Sequence, residues 1–282
     1  MRGRLTAMLL RACTGTGPDS ASGEQYRVIK TGVSSITLRR YGISEAVAYV
    51  ADAKLQVIEW TADPHVPHGD LNAAREAAQR TADAGLQLAG YGSYYRCGEP
   101  TVSPPFEQVL ETAEALGAPS VRVFAGRKQS TQAPPTYWKT VTRDLERVAA
   151  LASDAGRPVS VEFMDHTLND CPNGWKQLLA TGNFTDLTTY WQPTAATEEM
   201  HRIDVVNELI KHIGNIHVFV WDHGVRVPLA RGAREWLRVI ELLADDTRRE
   251  HCLLLQLVEK DRPENFMRDA ETLRDIVSQV RV

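Results

Sequence analysis

The sequence lacks the features that would mark several whole classes of protein. No stretch approaches eighteen consecutive apolar residues, so no membrane-spanning helix is predicted. No Lys/Arg-rich block stands out among the 32 basic and 36 acidic residues, which argues against nucleic acid or an anionic membrane as a partner. No G-x-G-x-x-G or Walker motif follows the first predicted strand, which argues against a nucleotide cofactor. A small-molecule substrate remains the expected partner.

The chain also has few cysteines, and none of them form a close pair of the kind found in zinc or redox centres. The four lie at Cys13, Cys97, Cys171 and Cys252. This pattern is typical of reduced thiols in a cytoplasmic protein. The apolar run AMLL near the N-terminus is too short for a signal peptide. Residues 1–25 are predicted to form a disordered or extended tail, and residues 26–282 one domain.

What the sequence does contain is a regular series of short apolar runs, each typical of a buried strand. They begin at residues 33, 55, 86, 120, 159, 187, 215 and 252 and read VSSITL, LQVIEW, LQLAGY, SVRVFAG, VSVEFM, LTTYWQP, NIHVFVW and CLLLQLV. Between them, the segments 106–117, 137–156 and 204–214 have apolar side chains on one helical face and end at a glycine. The last of these places Ile213 in a helix. Eight strands alternating with helices predict an α/β fold with a single (β/α)8 TIM barrel.

In such a barrel the functional residues lie where the strands end. Glu162 ends the fifth predicted strand, and Asp165, His166 and Asp170 follow it in the stretch VSVEFMDHTLNDC. Three interpretations stay open from the residues alone. The cluster is the edge of a metal site, an acid–base site that works without metal, or a set of polar residues that cap the next helix.

Several segments, taken in order, resemble the sugar phosphate isomerase/epimerase family of the xylose isomerase-like barrel superfamily. The segments are IEWTADPHVPHGD, AGLQLAGYGSYYR, VLETAEALGAPSVRVFAGR, TYWQP, IHVFVW and VPLARGAREW. The likeness runs from about residue 28 to the C-terminus. It implies a xylose isomerase-like barrel with a divalent metal, Mn²⁺ or Mg²⁺, at its C-terminal mouth.

The resemblance also implies which residues surround that metal. The implied positions on the fifth to eighth strands are Glu162, Gln192, His217 and Gln256. Two of them depart from the family, because Gln192 and Gln256 stand where carboxylates are expected, and EFMDHTLND replaces a frequent EFHGGTLTD. With one anionic ligand left, metal binding is expected to be weak or absent.

Catalysis is expected to depend on Glu162 as general base, with His166 or His217 as its partner. Arg226 precedes Trp236 by ten positions, a spacing similar to that of the substrate-contacting arginine of ketose epimerases. Arg122 lies on the fourth predicted strand, where a buried charge needs a partner, and Glu59 or Glu162 is the expected one.

Further side chains at the strand ends are predicted to contact substrate, with packing under loops as the alternative. These residues are Trp60, His65, Tyr91, Arg122, Trp191 and Trp221. The exposed loop aromatics and the barrel shape are also compatible with a homodimer.

The leading functional hypothesis is an isomerase or epimerase-like enzyme that transfers a proton on a small carbonyl- or hydroxyl-bearing metabolite. One alternative is a metal-independent lyase, cyclase or hydrolase of secondary metabolism that reuses the barrel with a degenerate metal site. A second alternative is a non-catalytic barrel that only binds a ligand.

Overall fold

A computed structural model describes residues 29–101, 103–194, 199–246 and 248–280 of the chain. The predicted tail, residues 1–25, lies outside the described residues.

Within the described residues, strands and helices alternate as the sequence predicts. The strands are β1 Ile29–Ser34, β2 Val57–Thr61, β3 Gln87–Arg96, β4 Val121–Phe124, β5 Val159–Glu162, β6 Thr188–Trp191, β7 Ile213–Val218, β8 Trp221–Asp222, β9 Val225–Arg226 and β10 His251–Leu255. The helices are α1 Ile43–Asp52, α2 Leu71–Asp83, α3 Phe106–Leu116, α4 Pro135–Asp154, α5 Pro172–Thr181, α6 Glu199–Leu209, α7 Ala233–Ala244 and α8 Pro263–Gln279.

Eight parallel strands close into a barrel in the order β1-β10-β7-β6-β5-β4-β3-β2, which confirms the predicted TIM-barrel fold. The barrel closes where β1 pairs with β10, from Ile29 opposite His251 to Val33 opposite Leu255. The two remaining strands, β8 and β9, form a short antiparallel hairpin after β7. Among the described residues, no helix combines the length and the apolar character that a membrane span requires.

Helices α3 and α4 cover the barrel with the apolar faces that their sequence spacing predicts. In α3, for example, Phe106, Val109, Ala113 and Leu116 are all fully buried. The helix ends at Gly117, whose φ of 75° lies in the left-handed region that favours glycine. The large apolar core therefore lies between the strands and the helices.

A second, smaller cluster fills the inside of the barrel. Its members are Val57, Ala89, Tyr190, Cys252 and Leu254. Asn215 completes this layer by donating hydrogen bonds to the hydroxyl of Tyr190 (2.6 Å) and to the carbonyl of Ala89 (3.0 Å). The interior is thus a packed plug, and only the end of the barrel beyond it leaves room for a ligand.

Two boundaries differ from the sequence prediction. The first strand is Ile29–Ser34 rather than residues 33–38, because residues 35–38 form a 3-10 turn. There, the hydroxyl of Ser35 accepts a hydrogen bond from the backbone N–H of Thr61. Ile213 belongs to β7 rather than to the preceding helix, since α6 ends at Leu209 and Ile213 pairs with Thr189.

Candidate active site

Four ionisable side chains meet inside the barrel at the C-terminal ends of its strands. They are Glu59 on β2, Arg122 on β4, Glu162 on β5 and His217 on β7, and each is at most 3% exposed. Strand alternation brings them together, because the residues next to them in sequence, such as Trp60 and Val161, point outward toward the helices. The arrangement is therefore a buried, charged layer directly above the apolar plug.

Arg122 is the centre of this layer. Its Nε donates to Glu59 Oε1 at 2.9 Å, and its Nη1 contacts Glu162 Oε2. One guanidinium thus bridges two buried carboxylates, whereas the sequence predicts one partner, Glu59 or Glu162. Arg122 therefore joins Glu59 to Glu162.

Glu59 accepts two further hydrogen bonds. Ser34 on β1 donates its hydroxyl at 2.5 Å, and His217 contacts Glu59 Oε2 through Nε2 at 3.2 Å. Burial alone would raise the pKa of Glu59, but Arg122, His217 and Ser34 together lower it from 4.5 to about 2. Glu59 is consequently an anion at neutral pH.

His217 has a defined role in this network. Burial lowers the pKa of His217 below 6.5 despite the opposing charge of Glu59, so the ring is neutral at pH 7. An ionised carboxylate can only accept a hydrogen bond, so Nε2 of His217 carries the hydrogen and donates it to Glu59. Nδ1 then presents a lone pair, 3.5 Å from Glu162 Oε1 and 3.4 Å from Gln192 Oε1.

A cavity of about 440 Å³ opens above Glu162 and Arg122. Its walls include the aromatic side chains of Tyr94, Phe124, Phe219 and Trp221. Gln192 and Gln256 line it at the ends of β6 and β10, and Met164 and Asp165 line it after β5. A larger depression of about 730 Å³ lies on the outer surface beside α4 and α5, away from the strand ends. The size and chemistry of the cavity at the strand ends suit a small, partly apolar molecule.

Of the four positions that the resemblance assigns to a metal, three line this cavity, and His217 lies buried beside Glu162 and Gln192. Their chemistry does not fit Mn²⁺ or Mg²⁺. Glu162 is the only anion among them, and its carboxylate already contacts Arg122. Gln192 and Gln256 offer neutral amides, whereas hard divalent ions need charged carboxylate oxygens. Within the described part of the chain, no three His, Cys, Asp or Glu side chains form a group that could hold a metal ion.

Several residues predicted to contact substrate lie elsewhere. Trp60 is buried beneath α2 and donates its indole N–H to Thr81 at 3.0 Å. Tyr91 donates its hydroxyl to the carbonyl of Val66 at 2.8 Å. Trp191 packs edge-on against Trp236 of α7 at a ring distance of 6.0 Å. All three belong to the apolar core outside the barrel.

The remaining predicted residues surround the cavity or lie outside it. Trp221 lines the cavity, and Arg226 lies 5.5 Å from the centre of its ring while pairing with Asp261. His65 is buried against Trp60, with Nε2 3.1 Å from the carbonyl oxygen of Tyr41.

His166 is not among the described residues that line the cavity. It is exposed, with a left-handed backbone at φ 62°. The polar residues Asp165, His166 and Asp170 also do not cap the next helix, as one interpretation of the sequence had them. Cys171 caps α5 by accepting from the N–H of Gly174, while Asp170 accepts from the N–H of Ser130.

Sequence reasoning identified Glu59 only as a partner for Arg122 and gave no role to Ser34 or Phe124. The signal for Glu59 is present in the run LQVIEW. Side chains alternate along this strand, so Val57 and Glu59 lie on one face and Trp60 on the other. If Glu59 points into the barrel, Trp60 must point outward toward the helices.

Comparison with known proteins agrees with this architecture. The family model of the xylose isomerase-like TIM barrel matches residues 47–276. No curated protein gives a significant match. Similar solved structures include the probable 3-DHS dehydratase of petrobactin synthesis from Bacillus anthracis, which is 15% identical with a TM-score of 0.71 over 87% of this chain and 98% of that one.

Two epimerase structures are also similar. An L-ribulose 3-epimerase is 15% identical with a TM-score of 0.67, over 89% of this chain and 95% of that one. A D-psicose 3-epimerase from Clostridium cellulolyticum H10 is 14% identical with a TM-score of 0.64, over 89% of this chain and 99% of that one. At these identities the similar structures establish the fold, and the family model establishes the relationship. The chain belongs to the xylose isomerase-like TIM barrel family.

Proposed function

We propose that this chain is an isomerase-type enzyme that moves a proton on a small carbonyl- or hydroxyl-bearing metabolite, with Glu162 as the general base. The observation that carries the proposal is the position of Glu162. Its carboxylate lies in the wall of the 440 Å³ cavity, in contact with Arg122 and 3.5 Å from Nδ1 of His217. A buried carboxylate beside a neutral imidazole and a fixed cation is suited to proton transfer.

In the proposed reaction, Glu162 takes the proton from the carbon next to the carbonyl. The electron pair of the broken C–H bond forms the C=C bond of an enediolate, and the remaining hydroxyl proton passes from its oxygen to the former carbonyl oxygen. Glu162 then returns its proton to the former carbonyl carbon, and the other oxygen becomes the new carbonyl. Arg122 places positive charge beside the developing negative oxygen. Arg122 also pairs with Glu59, whose negative charge offsets part of the positive charge beside Glu162.

The distribution of acids around the cavity favours isomerisation over two-base epimerisation. Among the described lining residues, the carboxylates are Glu162 and Asp165, and both come from the end of β5. The wall formed by Ile36, Gln256 and Leu257 carries none. Two-base epimerisation needs a proton acceptor on one face of the carbon and a donor on the other, whereas a shift between adjacent carbons needs one group.

A second candidate is a lyase that removes water after the same proton abstraction. The aromatic side chains of Tyr94, Phe124, Phe219 and Trp221 line the cavity and suit a flat, unsaturated product. The similarity to the probable 3-DHS dehydratase also supports this candidate. Glu162 would take the proton of the C–H bond, and the electron pair would form a C=C bond as the C–O bond on the next carbon breaks. The protonated Glu162 would return that proton to the departing hydroxyl group, which leaves as water.

Proton NMR in D₂O tests both candidates on L-ribulose, D-psicose, D-tagatose and 3-DHS. We expect the wild-type protein to exchange the hydrogen next to the carbonyl of at least one compound. Glu162→Gln should slow that exchange by about 10³-fold, since a general base contributes about 10² to 10⁴ in rate. The matched control Glu111→Gln, on the exposed face of α3, should exchange at the wild-type rate.

The product spectrum separates the candidates. Proton signals of an isomeric sugar with all its hydroxyl groups support isomerisation, and new vinylic or aromatic proton signals support the lyase. Wild-type rates in Glu162→Gln would show that Glu162 is not the base. Saturable binding of one of these compounds by both proteins, without exchange in either, would favour the ligand-binding barrel.

A further inference from the structure

We infer that the guanidinium of Arg122 takes the place of a divalent cation at the mouth of this barrel, so that the site has a permanent cation supplied by the chain itself. The inference goes beyond the proposed function, because it concerns what neutralises the buried acids and holds whether or not Glu162 is a base. It rests on the contacts, the charge balance and the packing of one side chain.

Arg122 already contacts Glu162, the only anion among the four positions that the resemblance assigns to a metal. The guanidinium lies between the two buried carboxylates, with Nε 2.9 Å from Glu59 Oε1 and Nη1 in contact with Glu162 Oε2. A metal ion bound to Glu162 Oε2 would compete with Nη1 of Arg122 for that oxygen. It would also lie directly beside a fixed positive charge, which repels it.

With Arg122 in place, the site has too little negative charge for a divalent ion. Glu59 and Glu162 face one guanidinium, so a divalent ion would meet a net charge of about −1 beside a fixed positive charge. Gln192 and Gln256 add oxygen atoms but no charge.

The surrounding barrel is shaped for the guanidinium. Gly92 on β3 has no side chain, and a Cβ at that position would overlap Nη2 of Arg122. The rings of Tyr94, Phe124 and Tyr190 lie 5.6 to 5.9 Å from Cζ of Arg122. With 2% of its surface exposed, Arg122 is tightly packed and meets the cavity only at its edge.

Metal titration of the purified protein tests the inference without any substrate. We expect wild-type protein, prepared with chelator and then dialysed, to show no heat of binding with MnCl₂ and no rise in melting temperature at millimolar MnCl₂. Arg122→Gln leaves Glu59 and Glu162 without their cation, so it should melt at a lower temperature than wild type. Millimolar MnCl₂ should then raise the melting temperature of this variant by several degrees, because the ion binds only the folded state.

Two variants serve as controls. Arg147→Gln removes an arginine that is 44% exposed, and MnCl₂ should leave its melting temperature unchanged. Arg122→Gln combined with Glu162→Gln removes one of the carboxylates, so the rescue by MnCl₂ should disappear. If Arg122→Gln does not fold, the inference is still tested by titrating MnCl₂ into the wild-type protein and into Arg122→Lys, which keeps a positive charge.

Two results would overturn the inference. One is micromolar binding of Mn²⁺ by wild-type protein, which would show that a metal ion binds alongside Arg122. The other is a folded Arg122→Gln variant that gains no stability from MnCl₂. Neither result depends on turnover, so the loss of this inference is distinguishable from a failure of Glu162 as base.

Discussion

Glu59 links four strands of the barrel through one carboxylate. It lies on β2, accepts hydrogen bonds from Ser34 on β1 and Arg122 on β4, and contacts His217 on β7. A buried charge with three partners is stable only while all of them are present. Glu59 therefore connects the stability of the fold to the arrangement of Glu162 and His217.

Replacing Glu59 should destabilise the protein strongly. Glu59→Gln keeps the size of the side chain but leaves Arg122 with one buried carboxylate, so we expect a loss of about 3 kcal/mol in unfolding free energy at pH 7. Urea unfolding measures the loss. Glu250→Gln, at a surface pair with Lys30, is the matched control and should change the unfolding free energy by less than about 0.5 kcal/mol. Equal losses in the two variants would mean that the network carries no special stability.

The stability difference between wild type and Glu59→Gln should also depend on pH. The folded-state pKa of Glu59 is lowered from 4.5 to about 2, so the stabilisation is complete above pH 4.5 and is lost as the pH falls toward 2. Urea unfolding of both proteins through this acid range measures the difference. We expect it to shrink on acidification, and a difference that grows would contradict an ionised Glu59.

The three tryptophans predicted to contact substrate should separate into two groups. Trp60→Ala and Trp191→Ala each remove a fully buried indole and should cost about 3 to 5 kcal/mol of unfolding free energy. Trp221 is 37% exposed at the cavity, so Trp221→Ala should cost less than about 1 kcal/mol. Thermal or urea unfolding checks the order. A Trp221 variant as unstable as the other two would place that ring in the core.

Among the secondary-structure elements, the barrel order was predictable because strand and helix periodicities differ. Buried runs such as VSVEFM and the spacing of apolar residues in α3 and α4 identify their elements directly. The polar residues Lys30 and Thr31 concealed β1, whose sequence is IKTGVS. The apolar residues Ile36 and Leu38 led to a predicted strand at residues 33–38, which include the turn that follows β1.

The candidate site was only partly predictable, because it depends on which face of each strand points inward. The sequence shows which residues end each strand and so lie near the mouth, such as Glu59, Trp60, Trp191 and Gln192. It does not show which of these side chains point into the barrel. Pairing across the barrel decides this, and it brings Glu59 and His217 together although they are 158 positions apart. Such non-local contacts have no signature in a local pattern.

The close approach of β3 and β4 gives a prediction at the level of one element. Gly92→Ala should force the guanidinium of Arg122 out of its position and cost about 1 to 3 kcal/mol of unfolding free energy, as overpacking does. The control is Gly42→Ala at the start of α1, where the nearest atom to a Cβ is 3.8 Å away and the expected loss is less than about 1 kcal/mol. Urea unfolding compares them, and a neutral Gly92→Ala would mean that the space beside Arg122 is not required.

For the molecule as a whole, the closed barrel separates two kinds of residue. The apolar plug of Val57, Tyr190 and Leu254 fills the interior, and the charged layer above it faces the cavity. A role in binding or catalysis is therefore expected at the C-terminal ends of the strands. The homodimer inferred from the sequence stays a prediction, and analytical ultracentrifugation measures it.

The central claim is that Arg122, rather than a metal ion, is the cation beside Glu162. A crystal structure of the protein soaked in MnCl₂, with anomalous diffraction data collected for manganese, tests it most directly. We predict no anomalous peak among Glu162, Gln192, His217 and Gln256, and a guanidinium that bridges Glu59 and Glu162. A peak at about 2.0 to 2.3 Å from Glu162 and His217, with Arg122 displaced, would contradict the claim.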